Sequence, residues 1–453
     1  MKTFTLTIFI LFSLTVLSNS QGTFWEKKNI NYPFASTGYS PKIVSENVAW
    51  TYASKETLDG EKDYLNYAIM RTTNGGNSWV TETLPFNGKL GDMTSMAVID
   101  DSTAWVSYVE SLDAAFGKYV SKVYRTTNGG KTWTEGNVNI GGDWVNIIHF
   151  FDKNTGVIIA DPSTVDFNIY RTSNGGTTWS KVPGLLIPNV TSVNEYGLNI
   201  YFATGDLIYF STFDNRIFYT VDKGISWFVI PSPDISIEGN FGISRDDKKN
   251  LYFLTYTGES SAAYRVGITD TKWTKLSTPD NVNVNGISSV PGTESLVMIT
   301  SDNKKTYISK DAGNTWSVAD SLNTNGRKRY VSFLNAKTGY CTYRESNESS
   351  EGILKYIGSP LSGLLTANNI DVDLKLWPNP ATDNFIISLT GKEYDNYWIL
   401  INDVTGNLLY KKEINNIASF SEMVNIQNYS PGIYTVTISN QKGLKSEKFI
   451  KNQ

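Results

Sequence analysis

Two reactive side chains are almost absent from this sequence. One cysteine, Cys341, and one histidine, His149, occur in 453 residues. A lone cysteine forbids an intrachain disulfide, and a lone histidine leaves no His-rich zinc site and no second imidazole to serve as a base. Charge is scarce too: Asp, Glu, Lys and Arg make up 19% of the chain, the formal net charge is −4, and no basic block could track a phosphate backbone. Nucleic acid is therefore not an expected partner. No Gly-rich phosphate loop, GxSxG elbow or HExxH helix occurs, so neither a cofactor nor a metal is expected. Turns rich in Asn and Asp offer one carboxylate each at most, whereas calcium takes about six to eight oxygens. What abounds is aromatic, with 12 Trp, 26 Tyr and 21 Phe beside 36 Gly. Such a chain can bury a large core, and the chemistry left open to it is that of carboxylates, Arg, Tyr and Ser/Thr, or none.

Residues 1–20, MKTFTLTIFILFSLTVLSNS, carry a short basic start at Lys2, an apolar run from Phe4 to Leu17, and Ser18 and Ser20 at the −3 and −1 positions. That pattern predicts a secretory signal peptide cleaved before Gln21. As a helix the apolar run would measure about 21 Å, short of a hydrocarbon core of about 30 Å, and no later stretch is apolar enough to span as a transmembrane helix. An exported chain with one cysteine must draw its stability from its core.

An eight-residue pattern recurs along the middle of the chain: TTNGGNSW at 72–79, TTNGGKTW at 126–133, TSNGGTTW at 172–179, TVDKGISW at 220–227 and SKDAGNTW at 309–316. A degenerate copy ends at Trp273 without its glycine. From Trp79 to Trp316 there are 237 residues in five intervals, about 47 per unit, the length of one four-stranded propeller blade. The side chains at the first and third positions can bond their own backbone, the fifth supplies a glycine for positive φ, and the closing tryptophan anchors the turn. The structural positions are thus Asn74, Gly76 and Trp79; Asn128, Gly130 and Trp133; Asn174, Gly176 and Trp179; Asp222, Gly224 and Trp227; and Asp311, Gly313 and Trp316. β-Rich runs precede each copy, so each unit reads as three strands, the turn, and a fourth strand.

These turns resemble the Asp-box, or BNR repeat, of sialidases, xyloglucan hydrolases, sortilin-type receptors and photosystem II assembly-factor-like propellers. The resemblance implies a β-propeller over residues 21–358 with the Asp-boxes on the edge away from the functional face. It implies little about activity. At about 47 residues per unit those 338 residues hold about seven blades, with six or eight as the neighbouring solutions. The last unit, with YVSFL at 330–334, TGYCTY at 338–343 and GILKYI at 352–357, lacks a fourth strand. TFWEKKN at 23–29 can supply it, with Trp25 as the missing anchor, so the fold expected is an all-β, seven-bladed propeller closed by its N-terminal strand.

After a linker at 359–372 the pattern changes, and short strands at 373–453 predict a small Ig-like β-sandwich. WPNPATD near its start, INDVTGNLLY in its middle and SPGIYTVTISNQKGLKSEKFIK at its end resemble the type A C-terminal sorting domain of the type IX secretion system of Bacteroidota. The motif positions are Pro378, Asn379, Pro380, Gly406, Gly432 and Tyr434. The resemblance implies the type IX secretion machinery as a partner, passage across both membranes, and a cargo linked to surface lipopolysaccharide or released. A carbohydrate-binding sandwich is the alternative. Lys442, Lys445, Lys448 and Lys451, against Glu447 alone, suit a recognition tail better than a sugar groove.

Function on a propeller is expected in the loops opposite the Asp-boxes. These loops carry Glu110, Asp143 and Asp161 as candidate catalytic acids and Trp144, Arg327, Arg329 and Arg344 as candidate ligand contacts. A glycosidase needs two carboxylates about 5–9.5 Å apart, one of them held protonated. The sialidase branch would further demand an Arg triad, an Arg-Ile-Pro motif and a Tyr–Glu pair, yet the N-terminal region reads NYPFASTGY. Arg71, Arg125 and Arg171 fall at one repeat position and read as structural, leaving Arg216, Arg245, Arg265, Arg327, Arg329 and Arg344 for a triad. His149 reads as a core or channel-lining residue and Cys341 as a small buried hydrophobe. Two functions stand: a non-catalytic surface or secreted propeller that binds an extracellular glycan or protein, or a glycoside hydrolase working through paired loop acids.

Overall fold

The computed structural model describes residues 24–452 without 31, 35, 57–61, 114, 116, 137–139, 141–142, 215, 232–238, 257–260, 268–271, 279–283, 301–304, 322–325, 346–350, 362–369, 371, 404–407 and 441–442. The signal at 1–20, Gly406 and Lys442 lie outside the described residues, as do the side chains of Arg327 and Arg344. The chain divides into two compact units, Met1–Gly363 and Leu364–Gln453.

The first unit holds seven antiparallel sheets. Six are meanders whose strands follow chain order from the innermost outward, and they form blades 1 (36–83), 2 (91–135), 3 (145–181), 4 (197–231), 5 (239–275) and 6 (284–321). Blade 7 is composite: Gly326–Phe333, Gly339–Glu345 and Glu351–Tyr356 are completed on the outside by Trp25–Lys28, in the register Trp25↔Tyr356 to Lys28↔Ile353. The expected seven-bladed ring closed by its N-terminal strand is the ring observed. From blade 2 to blade 7 the innermost strands touch their neighbours in turn, and blade 1 meets blade 7 through Lys42–Ile43 and blade 2 through Lys62–Thr72.

Continuously apolar strands are the ones buried on both sides; every residue of Gly156–Ala160 is buried. Blades adhere through aromatic faces. Trp105 of blade 2 lies 3.6 Å from Phe150 of blade 3, ring over ring, while its indole N–H donates to the Gly175 carbonyl in blade 3's Asp-box. Trp50 of blade 1 donates in the same way to the carbonyl of Asp100 in blade 2. Trp25 is buried and donates to Thr306 Oγ1 of blade 6 at 2.8 Å, so the closing strand also clamps the preceding blade.

The Asp-box chemistry is uniform. Thr72 Oγ1 donates to Asn74 Oδ1 and accepts from Gly76 N at 2.9 Å, and Asn74 Oδ1 accepts from Ser78 N at 3.0 Å. The same bonds recur at Thr126/Asn128, Thr172/Asn174, Thr220/Asp222 and Ser309/Asp311. Position five is always glycine, with φ from 79° at Gly224 to 90° at Gly130. A Cβ on Gly76 would stand 3.0 Å from the Tyr340 ring, so glycine is required there for room as well as for φ. Position four is left-handed too, yet in two boxes it is filled by Lys223 and Ala312, each at φ 57°.

In the second unit the expected sandwich is one five-stranded sheet folded over a common core of Phe385, Ile387, Ile399, Val436, Ile438 and Phe449. The long strands Asn384–Asn402 and Leu408–Asn425 pair with each other throughout, with register shifts between Thr390 and Tyr397. The first half of Asn384–Asn402 also pairs with Val372–Trp377 and its second half with Gly432–Asn440. The motif residues hold the last strand, Gly443–Lys451: Asn379 donates to the Lys448 carbonyl and accepts from Ile450 N, and Tyr434 stacks on Phe449. The basic tail differs from expectation. Lys448 is exposed, but Lys451 is buried and donates to the Asn452 carbonyl, so it belongs to the fold.

Candidate functional site

Antiparallel strands put the turns that follow the first and third strands at the Asp-box end. The other loops therefore share the opposite face, and it is there that the candidate acids lie.

Asp143 and Asp161 flank the innermost hairpin of blade 3, Val145–Phe150 and Gly156–Ala160, where Asp161 N donates to the Trp144 carbonyl at 2.9 Å. Tyr170 donates to Asp143 Oδ2 at 2.9 Å. Asp161 Oδ1 accepts from Asn146 Nδ2 at 2.6 Å and from the backbone N–H of Gly197, the first residue of blade 4, at 2.9 Å. Burial pushes the Asp161 carboxyl up to about 6, and the charge of Asp143 adds to the rise against the hydrogen bonds from Gly197 and Asn146. Neither acid has a cation within 4 Å among the described residues. Tyr119 and Trp144 meet edge to face at 5.1 Å beside them. Burial raises the Tyr119 hydroxyl's pKa, and the charges of Asp161, Asp143 and Tyr196 add to that rise. Tyr196 is exposed, as are Val165 and Phe213, the latter donating its N–H to the Tyr196 carbonyl.

The remaining candidates are elsewhere. Glu110 belongs to blade 2 and pairs with Lys122 at 2.6 Å and Lys89 at 3.7 Å, so its charge is already answered. Arg329 lies on the innermost strand of blade 7, and Arg327 and Arg344 face each other in register across Gly326–Phe333 and Gly339–Glu345. Two arginines set aside for a triad are structural. Arg216 is committed to Glu195, which is wholly buried, through Nε at 2.9 Å and through Nη2. Arg265 donates to the Ala312 carbonyl at 2.9 Å, the fourth position of the next blade's Asp-box, just as Arg171 donates to the carbonyl of Lys223. The signal was available in the sequence: Arg265 precedes the degenerate Asp-box as Arg171 precedes an intact one. Arg245 stands over the Tyr209 ring, its guanidinium 5.9 Å from the centroid.

The axis, where His149 is expected as a core or channel-lining residue, holds a feature of its own. A cavity of about 460 Å³ is lined from all seven innermost strands, with Lys42, His149, Tyr201, Ser244, Ser288 and Ser332 among its polar walls. His149 packs edge to face on Phe151 and Tyr201, and burial, helped by Lys42, lowers its pKa to about 3, so it is neutral. Cys341 is buried, and burial pushes its thiol up to about 12.

Ring and site define a seven-bladed Asp-box propeller followed by a separate small β unit. Residues 375–452 match the family described as Secretion system C-terminal sorting domain. The protein is thus exported through the type IX system to the cell surface or extracellular space, and no helix among the described residues is long and apolar enough to cross a membrane. No curated protein matches the sequence. Among solved structures the chain is similar to YCF48 bound to D1 peptide, at 15% identity, TM-score 0.54, over 74% of this chain and 98% of that one. It is similar also to YCF48 from Cyanidioschyzon merolae, at 14% identity, TM-score 0.53, over 74% and 99%. The GH74 enzyme of Niastella koreensis aligns at 14% identity, TM-score 0.49, over 94% and 74%.

Proposed function

We propose that the propeller is a non-catalytic binding module, carried outside the cell by its sorting domain, that holds an extracellular ligand on the loop face of blades 2–4. The observation that carries this reading is the pair Asp143 and Asp161, which have no cation of their own among the described residues and have Tyr119 and Trp144 beside them, with exposed Tyr196 and Phe213 on the adjoining blade edge. Apolar and aromatic surface around unanswered negative charge suits a protein segment that presents a Lys or Arg between apolar residues better than it suits a neutral glycan. A peptide is also what the YCF48 propeller of the same fold is described as holding. Linkage to lipopolysaccharide after removal of the sorting domain belongs to the same proposal.

Hydrolysis is the second reading, favoured by one fact: a carboxyl raised to about 6 beside a second acid is how a glycosidase prepares its proton donor. Against it, Asp161 Oδ1 is already taken by two structural donors, and Glu110 is ion-paired. The test is to screen the full chain against Lys-containing apolar peptides and a glycan panel. Peptide binding lost in Asp143→Asn supports the first reading. Glycan turnover lost in Asp161→Asn would replace it with the second.

A further inference from the structure

We propose that the axial cavity is a binding site for a small organic monoanion, a carboxylate attached to an apolar or aromatic body, with Lys42 as its counter-charge. The site lies apart from the loop face and does not rest on the function proposed for it. Its lining includes Val44, Val98, Thr204, Pro291 and Leu334, which stand at or just past the ends of the innermost strands, so the cavity lies toward the Asp-box end of the axis.

The charge balance of the walls carries the inference. Among the described lining residues Lys42 is the one charged side chain, and none of them is Asp or Glu. Its ammonium has no ion pair among the described residues; it donates to Tyr201 Oη at 3.2 Å and sits 4.3 Å from that ring's centroid. An ammonium carries three donors, so two remain for a ligand. The hydroxyls of Ser40 and Ser332, in the same lining, make no hydrogen bond to the described protein. By contrast Ser244, Ser288 and Ser289 are spent on one another and on backbone carbonyls. The half-buried cation and the two hydroxyls line one cavity, and together they offer a carboxylate a counter-charge and hydrogen-bond donors. The rest of the wall, Met96, Val98, Phe202, Ile243, Ile287 and Val331, is apolar and calls for an apolar body. His149 is neutral here and adds no second positive charge, which is why a monoanion fits better than phosphate. The volume falls within the range of small-molecule sites, about 300–1,000 Å³.

The experiment titrates the full chain calorimetrically with benzoate, 4-hydroxyphenylacetate and hexanoate, each beside its neutral amide, and with inorganic phosphate. At least one carboxylate should bind about tenfold or more tightly than its amide. Lys42→Met should remove that preference, Lys42→Arg should keep it, and Asp143→Asn on the loop face should leave it unchanged. The acid-to-amide contrast in the unaltered protein needs no variant to fold. Equal binding of acid and amide, no binding of any carboxylate at millimolar concentration, phosphate alone binding, or a preference that survives in Lys42→Met would each overturn the assignment.

Discussion

Arg171 Nε donates to the backbone carbonyl of Lys223 at 3.0 Å, so a side chain of blade 3 holds the left-handed corner of the Asp-box in blade 4. Arg265 does the same for Ala312 in blade 6. A Cβ placed on Gly129 would stand 2.8 Å from Arg71, and one on Gly175 would stand 3.1 Å from Arg125, so the same arginine reaches the same corner in blades 2 and 3. The Asp-box is therefore a joint between blades as much as a turn within one.

Arg171→Ala should lower the stability of the propeller by about 1–3 kcal/mol, the cost of a charge-assisted hydrogen bond whose carbonyl is left unanswered. Urea unfolding followed by tryptophan fluorescence measures it. Arg171→Lys should recover part of the loss, since an ammonium can reach one acceptor but lacks the planar fork.

Trp25→Ala should cost about 3–5 kcal/mol, because it removes a buried indole, its bond to Thr306 and its edge contacts with Phe24 and Tyr356. Loss of the same size from a truncation at the C-terminal unit would show that the ring is not what these contacts hold. Denaturant midpoints of the two variants separate the cases.

Acid should weaken the ring through Asp152. Its carboxyl is held down to about 2 although burial works the other way, because the backbone N–H groups of Asn154 and Thr155 and the Lys223 ammonium favour its charged form. A folded pKa below the unfolded value of about 3.9 contributes stability that is fully present above about pH 4 and is lost as pH falls toward about 2. Asp152→Asn should flatten that stretch of the stability curve.

Asp161 has the opposite sign. A folded pKa of about 6 above an unfolded value of about 3.9 costs stability progressively as pH rises from about 4 to about 6, after which the penalty stays. Asp161→Asn should remove the decline and stabilise the protein at neutral pH by about 3 kcal/mol, provided the new side-chain oxygen keeps the Gly197 N–H. Capture of a Lys-containing peptide by the unaltered chain should strengthen through the same interval, as the acid ionises.

Blade number and closure were legible because they are one-dimensional facts: a repeat of about 47 residues, a last unit one strand short, and Trp25 at the far end. Asp143 and Asp161 could be suspected as a pair because they flank one innermost hairpin, as an antiparallel turn requires. Tyr196, Phe213 and Lys42 were not legible. They meet their neighbours through the curvature of the ring, which brings together loops of adjacent blades and residues from seven separate strands, and no spacing along the chain records that. Lys451 was misread for a related reason: a run of lysines on a strand alternates in direction, and this one points inward.

The seam of blade 7 joins residues 331 positions apart, Trp25 and Tyr356, and the sorting domain begins within twenty residues of that join. A growing chain therefore acquires the partner strand of its latch shortly before it acquires its export tag. Any product broken off before residue 351 lacks both the strand that Trp25–Lys28 pairs with and the sorting domain, so every chain that carries the export tag also carries all the strands of the ring.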